Sequence, residues 1–142
     1  MSASIWNPDG VTHALGAKEI IAVACSDLST SLIVASNVGY FYVVQNSGFT
    51  LAGVEATLLV ASTSGVVTVN VKKNAVSIFT TKITIDVNEK TSVTAVIPAV
   101  IISTATTFEA GDLVSIDIDG AGTGAKGLIV SFRGNFLDST LD

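Results

Sequence analysis

The chain has 142 residues, of which 49% are hydrophobic and only 13% are charged, and its formal net charge is −5. This length suits one domain with a single substantial core. No basic cluster occurs beyond the pair Lys72 and Lys73, which argues against a nucleic-acid partner bound through its phosphates. The chain has one His and one Cys. Because catalysis draws mainly on such residues, we expect no enzyme activity, no cofactor and no small-molecule substrate.

The small charged fraction predicts an interface. It is about half of the roughly 25% that is usual for soluble domains, so few charges remain to cover the surface. Since monomers rarely expose large apolar patches, we expect part of the apolar excess to lie between subunits or against a partner. The alternative is a two-layer sandwich whose outer faces carry Thr, Ser and Ala in place of charge.

Residues 1–18 show no strand or helix period and are predicted to form an extended N-terminal arm, followed by a β-sandwich domain over residues 19–142. A solvated tail has little use for a Trp, so we expect the arm to contact a partner surface. The candidate contact residues are Ile5, Trp6, Pro8 and His13. Alternatively, the arm folds back and Trp6 fills one end of its own core. No signal-peptide pattern or bilayer-spanning stretch is present, so we expect no membrane partner.

Apolar runs at residues 20–25 and 32–35 flank a polar segment and predict a strand, a turn and a second strand. A short helix over residues 17–23 is the alternative. Cys25 ends the first run and has no second Cys to pair with. We therefore expect it to be a small buried hydrophobe, in a protein that folds in a reducing cytosol.

Residues 40–45 are rich in aromatic and β-branched side chains and predict a strand. A turn at residues 46–48 leads to a second strand over residues 49–60, with Gly53 as a bulge. Because consecutive strand residues alternate between faces, at most two aromatic side chains of residues 40–42 share a surface. Core packing is the expectation for these rings, and a sugar-stacking platform is the alternative.

The rest of the chain repeats short alternating runs. Residues 67–71, 114–119 and 128–133 alternate with period two, and residues 76–85 change parity, which requires a bulge or two separate strands. A strand over residues 93–97 is expected to end before Pro98 or to lie at a sheet edge. About eight strands with short connections predict an all-β fold, an antiparallel β-sandwich that is jelly-roll-like.

Two motifs have both a chemical and a structural interpretation. Residues 120–127 are rich in Gly, but a phosphate-binding loop needs Gly-Lys-Ser/Thr ahead of a helix, and a strand follows here. We therefore predict a flexible hairpin loop. Asp117 and Asp119 should point the same way from a strand, about 7 Å apart. Since Ca²⁺ takes at least about six oxygen ligands, we predict a polar face and no metal site.

The order of strands and turns also carries a family resemblance over roughly residues 40–136, about two-thirds of the chain. The segments that carry it are residues 42–45, 53–58, 64–65, 67–71, 78–86, 89–92, 98–101, 111–112, 114–119 and 124–134. In this order they resemble small β-sandwich domains of tailed-bacteriophage virion proteins. Such domains occur in head-decoration (cement) proteins, head fibres and tail-fibre or collar proteins.

The resemblance implies a jelly-roll-like sandwich that assembles as a homotrimer. The short chain favours a head-decoration protein, because fibres usually carry long repetitive shafts. We therefore expect a structural protein on the capsid exterior of a virion, made in the host bacterial cytoplasm, that contacts the major capsid protein and stabilises the head shell through multivalent attachment. The alternative is a receptor- or glycan-binding module of a tail or head fibre, with Tyr40 or Tyr42, Asp117 and Asp119 as its candidate residues.

Overall fold

The structure is a computed structural model that describes residues 18–44 and 47–138. Strands and connections make up this part of the chain, and it contains no helix that could cross a membrane. The strands are β1 (Lys18–Ala24), β2 (Ala35–Tyr42), β3 (Ser47–Thr57), β4 (Val67–Lys73), β5 (Val76–Ser77), β6 (Phe79–Thr81), β7 (Ile83–Ile85), β8 (Val100–Ile101), β9 (Thr107–Phe108), β10 (Leu113–Ala121) and β11 (Ile129–Asp138).

Two antiparallel sheets form the sandwich. The first sheet has the order β1-β11-β3-β9, and the second has the order β2-β10-β4, with β5 and β7 both pairing with the free side of β4. Strands β6 and β8 form a separate two-stranded ribbon. Strands β1 to β4 alternate between the two sheets, and β10 and β11 again lie in opposite sheets. This arrangement is that of a jelly roll, and it confirms the predicted fold class.

The core lies between the inward faces of the two sheets. The second sheet contributes alternate residues of β4 and β10, such as Val69 and Ile116, which are fully buried. The first sheet contributes a cluster of aromatic rings, in which Phe41 of β2 also takes part. The rings of Phe41 and Phe132 meet edge to face with centroids 5.3 Å apart, a favoured geometry for aromatic pairs. Since alternate residues of β4 and β10 face the core, the alternation predicted for these two strands is confirmed.

The parity change within residues 76–85 is also confirmed as a change of strand. Strands β5 and β7 pair with opposite ends of β4, whereas β6 between them leaves the sheet to pair with β8. The turn from β4 to β5 has positive φ values at Asn74 (50°) and Ala75 (72°), as a two-residue type I′ hairpin requires. The bulge predicted at Gly53 lies one residue earlier, because Ala52 is the residue skipped in the β3–β11 register.

Several predicted elements are wrong. The helix alternative over residues 17–23 is wrong, since β1 pairs along its whole length with β11. Residues 32–35 are mostly loop, and the strand expected over residues 40–45 is β2, which begins at Ala35 and ends at Tyr42. The polar loop before it is stabilised by Asp27, whose carboxylate accepts hydrogen bonds from two backbone amides. Propensity located the extended segments but not their ends.

The strand predicted over residues 93–97 is also wrong. This segment leaves the edge of β3, where Ser92 and Ala56 form two hydrogen bonds of 2.9 Å. It then crosses to the second sheet, where the Thr84 hydroxyl donates to the carbonyl oxygen of Ile97 at 3.3 Å. The segment therefore covers an open side of the sandwich without pairing along either sheet.

Candidate binding surfaces

The outward face of the second sheet carries two exposed tyrosines. Because β2 alternates, Phe41 points into the core while Tyr40 and Tyr42 point outward and are 63% and 59% exposed. Their rings meet edge to face, with centroids 6.1 Å apart and an interplanar angle of 82°. The expectation of core packing is therefore correct for Phe41 and wrong for both tyrosines.

The tyrosines border a shallow groove of about 230 Å³, which we call the tyrosine groove. Its lining residues are Asn37, Tyr40, Tyr42, Leu113 and Ser115. Leu113 and Ser115 lie on β10 directly opposite Tyr42 and Tyr40 in the antiparallel register. Ser115 is only 5% exposed, and within the part of the chain that the structure describes its hydroxyl makes no hydrogen bond. Such a hydroxyl is unusual, because buried polar groups are generally paired.

A polar network lies on β10 beside the tyrosine groove. Asp117 is 6% exposed, and its carboxylate lies 2.9 Å from the Lys72 ammonium and accepts the Asn37 backbone amide at 2.8 Å. Asn37 has a φ of 55°, where the register of β2 against β10 shifts between Ile116 and Ile118. The bulge thus aims the Asn37 amide at the Asp117 carboxylate. This hydrogen bond and the ion pair with Lys72 together compensate for the burial of the carboxylate.

The two carboxylates for which the sequence predicts a polar face and no metal site are engaged separately. Asp117 pairs with Lys72, and Asp119 pairs with Lys82 at 2.6 Å. A second register shift, between Ile118 and Gly120 against β4, follows Asp117 and changes the environment along the strand. Among the described residues, no group of three or more His, Cys, Asp or Glu side chains could hold a metal ion.

A second surface lies where residues 93–101 cross the open side of the sandwich. Four of its apolar side chains, which we call the apolar ridge, are between 49% and 83% exposed; they are Val93, Val96, Ile97 and Val100. The ridge borders a groove of about 540 Å³, which reaches β3 and the Arg133 side chain of β11. The Arg133 guanidinium lies over Gly53 and 3.7 Å from the carboxylate of Glu55. This surface combines four exposed apolar side chains with the charged groups of Arg133 and Glu55.

The Gly-rich segment 120–127 connects the two sheets, because β10 and β11 belong to different ones. The prediction of a hairpin loop is therefore wrong. Its backbone also bonds to neighbouring loops, since the carbonyl of Ala125 accepts the Leu32 amide at 2.8 Å and Lys126 bridges to Val60. Gly122, Gly124 and Gly127 have positive φ values, which glycine adopts without strain.

Cys25 is buried and its thiol hydrogen-bonds weakly to the Val23 carbonyl at 3.5 Å. Burial raises the pKa of the Cys25 thiol to about 11. The thiolate is therefore scarce at neutral pH, and the prediction of an inert, buried Cys is confirmed.

The predicted contact residues Ile5, Trp6, Pro8 and His13, and the arm over residues 1–18 except for Lys18, lie outside the described residues. The residues of the tyrosine groove and its polar network that the sequence did not single out are Asn37, Leu113, Ser115 and Lys72. The alternation of β10 had placed Ser115 and Asp117 on the polar face, but only strand pairing places Tyr40 and Lys72 on either side of Ser115. Three residues of the apolar ridge, Val93, Val96 and Ile97, fall in the run over residues 93–97 that the sequence predicts as a strand, whereas Val100 lies beyond it.

No family model, curated protein sequence or solved structure matches this chain. The functional conclusion therefore depends on the surfaces themselves and on the resemblance of the strand and turn pattern.

Proposed function

We propose that this chain is a structural virion protein of the tailed-bacteriophage head-decoration type, which forms a homotrimer and stabilises the head shell from its exterior. The observation that carries the proposal is the apolar ridge. The resemblance over residues 40–136 supplies the class of assembly, and the jelly-roll fold agrees with what that resemblance implies. The major capsid protein is the proposed partner.

The ridge supports self-association for a physical reason. Four β-branched side chains within eight residues face solvent, and Val96 is 83% exposed. Burying one Val or Ile side chain contributes about 1.5–3 kcal/mol, so leaving four in water forgoes a large stabilisation. Monomers rarely keep such strips uncovered. An oligomer that covers them would also present several copies of any capsid-contacting surface, so that modest single contacts sum to durable attachment.

The first test is the mass of the purified full chain by light scattering. We expect a trimer, and we expect Val96→Asp with Ile97→Asp to weaken association by at least about 100-fold, because charge would replace buried apolar area. The matched control is Val76→Asp, at an exposed apolar position of β5 outside the ridge, which should leave the trimer intact. A monomeric wild-type chain, or equal effects of both changes, would contradict the role of the ridge.

The second test is co-sedimentation with phage capsids stripped of their minor proteins. We expect saturation at a fixed ratio to capsid subunits. Deletion of residues 1–16 should abolish capsid occupancy without changing the far-UV circular dichroism, because the described strands begin at Lys18. Unchanged occupancy would exclude the arm as the capsid contact, and failure of the intact chain to bind any capsid would refute the decoration role.

A further inference from the structure

We propose that the tyrosine groove binds a neutral pyranose ring of a larger glycan. This activity goes beyond the structural role above and does not depend on it. Three features of the groove carry the inference: an angled pair of exposed aromatic rings, a buried hydroxyl without a partner, and charges that are already neutralised by each other.

The aromatic half of the groove suits the apolar face of a sugar. A pyranose ring presents C–H groups on its faces and hydroxyls around its rim. Tyr40 and Tyr42 meet at 82°, so together they form a corner in which one ring can stack on the C–H face while the other contacts its edge. Leu113 extends the apolar wall beside Tyr42. A pair of large exposed rings on a polar sheet face is otherwise costly, because nothing in the described chain covers it.

The polar half of the groove suits the rim of the same ligand. Ser115 is only 5% exposed and lines the groove, and its hydroxyl makes no hydrogen bond within the described residues. A buried polar group without a hydrogen-bond partner destabilises the protein. A ligand hydroxyl that donates to or accepts from the Ser115 hydroxyl would remove this cost. The Asn37 carboxamide also lines the groove and makes no side-chain hydrogen bond among the described residues. Amide and hydroxyl groups are the polar partners that fix the orientation of a small uncharged ligand.

Charge and size narrow the ligand class. Lys72 and Asp117, which flank Ser115 across and along the strands, form an ion pair of 2.9 Å, so neither is free to receive a carboxylate or an amine. The groove volume of about 230 Å³ lies below the roughly 300–1,000 Å³ of pockets for drug-sized ligands. One uncharged sugar ring fits these limits better than an acidic sugar or a peptide segment.

The test uses the full-length chain and saturation-transfer difference NMR, in which protein protons transfer magnetisation to the ligand protons that contact them. The probes are the methyl pyranosides of galactose, glucose, mannose and N-acetylglucosamine. We expect at least one probe to bind in the millimolar range, with the strongest transfer to C–H protons of one face. N-acetylneuraminic acid is the charged comparison and should bind more weakly.

Variants assign the signal to the groove. Tyr40→Ala and Tyr42→Ala should each weaken binding by about tenfold, as truncation of an aromatic anchor does, and Ser115→Ala by about threefold to tenfold through loss of a hydrogen bond. Ile20→Ala, at an equally exposed apolar position of the other sheet, is the control and should bind as the wild type does. All four variants alter groups that make no described structural hydrogen bond, and their thermal unfolding should remain close to that of the wild type.

Three results would overturn the inference. The first is no magnetisation transfer to any of the four neutral pyranosides. The second is binding that survives both tyrosine variants. The third is a loss of oligomer mass in Tyr42→Ala without sugar binding by the wild type, which would assign this face to contacts between copies. The first two results do not bear on the apolar ridge, so the structural role stands or falls separately from them, whereas the third would also assign part of the oligomer interface to the tyrosine face.

Discussion

The ion pair between Lys72 and Asp117 allows a quantitative test of how the second sheet is stabilised. We expect Asp117→Ala to lower the free energy of unfolding by about 2–3 kcal/mol. The charge-assisted hydrogen bond from the Asn37 amide contributes about 1.5 kcal/mol. Breaking a fully buried pair costs roughly 3–5 kcal/mol, but the Lys72 side chain keeps 21% of its surface exposed and can turn towards water. The ion-pair share is therefore about 1 kcal/mol.

A double-mutant cycle isolates that share. The single changes are Asp117→Asn, which keeps an acceptor for the Asn37 amide, and Lys72→Met, which keeps the apolar stem. Urea unfolding followed by far-UV circular dichroism, at one fixed protein concentration, gives the four free energies. We expect a coupling of about 1 kcal/mol between the two positions.

A matched cycle at Lys82 and Asp119 is the control. This pair is shorter, at 2.6 Å, but its side chains are 44% and 33% exposed, so its coupling should be only about 0.2–0.5 kcal/mol and should fall further in salt. If the Asp117 pair coupled no more strongly than this exposed pair, the argument that burial at the bulge strengthens it would be wrong.

Two further predictions concern glycines of the first sheet and the Cys25 thiol. Gly134→Ala should destabilise the protein by about 3 kcal/mol, because a Cβ there would overlap the rigid Thr50 carbonyl. Gly53→Ala should cost less than about 1 kcal/mol, because the added Cβ meets the movable Arg133 guanidinium. Equal shifts of the thermal unfolding midpoint in the two variants would refute this distinction. The Cys25 thiol, with its pKa raised to about 11, should react with a disulfide reagent at pH 8 at least roughly a hundredfold more slowly than in urea; rapid labelling of the folded chain would contradict its burial.

Local pattern in the sequence determined the fold class and the faces of the main strands. Because successive side chains of a strand point to opposite faces, only every second residue in the runs containing Val69 and Ile116 can face the core. The same rule placed Phe41 opposite to its two tyrosine neighbours. The parity change in residues 76–85 likewise required a break, which the structure shows as three short strands. These features depend on backbone geometry over a few residues, which sequence reports directly.

The tertiary structure alone decided which distant segments meet. Strand pairing placed Ser115 between Tyr40 and Lys72, and it sent the two ends of the Gly-rich segment into opposite sheets. It also left residues 93–101 crossing between sheets, although their β-branched composition favours a strand, because β3 and β7 there belong to different sheets. Strand propensity says that a segment is extended and apolar. Whether that segment is paired, buried or exposed depends on which neighbours the rest of the chain brings to it.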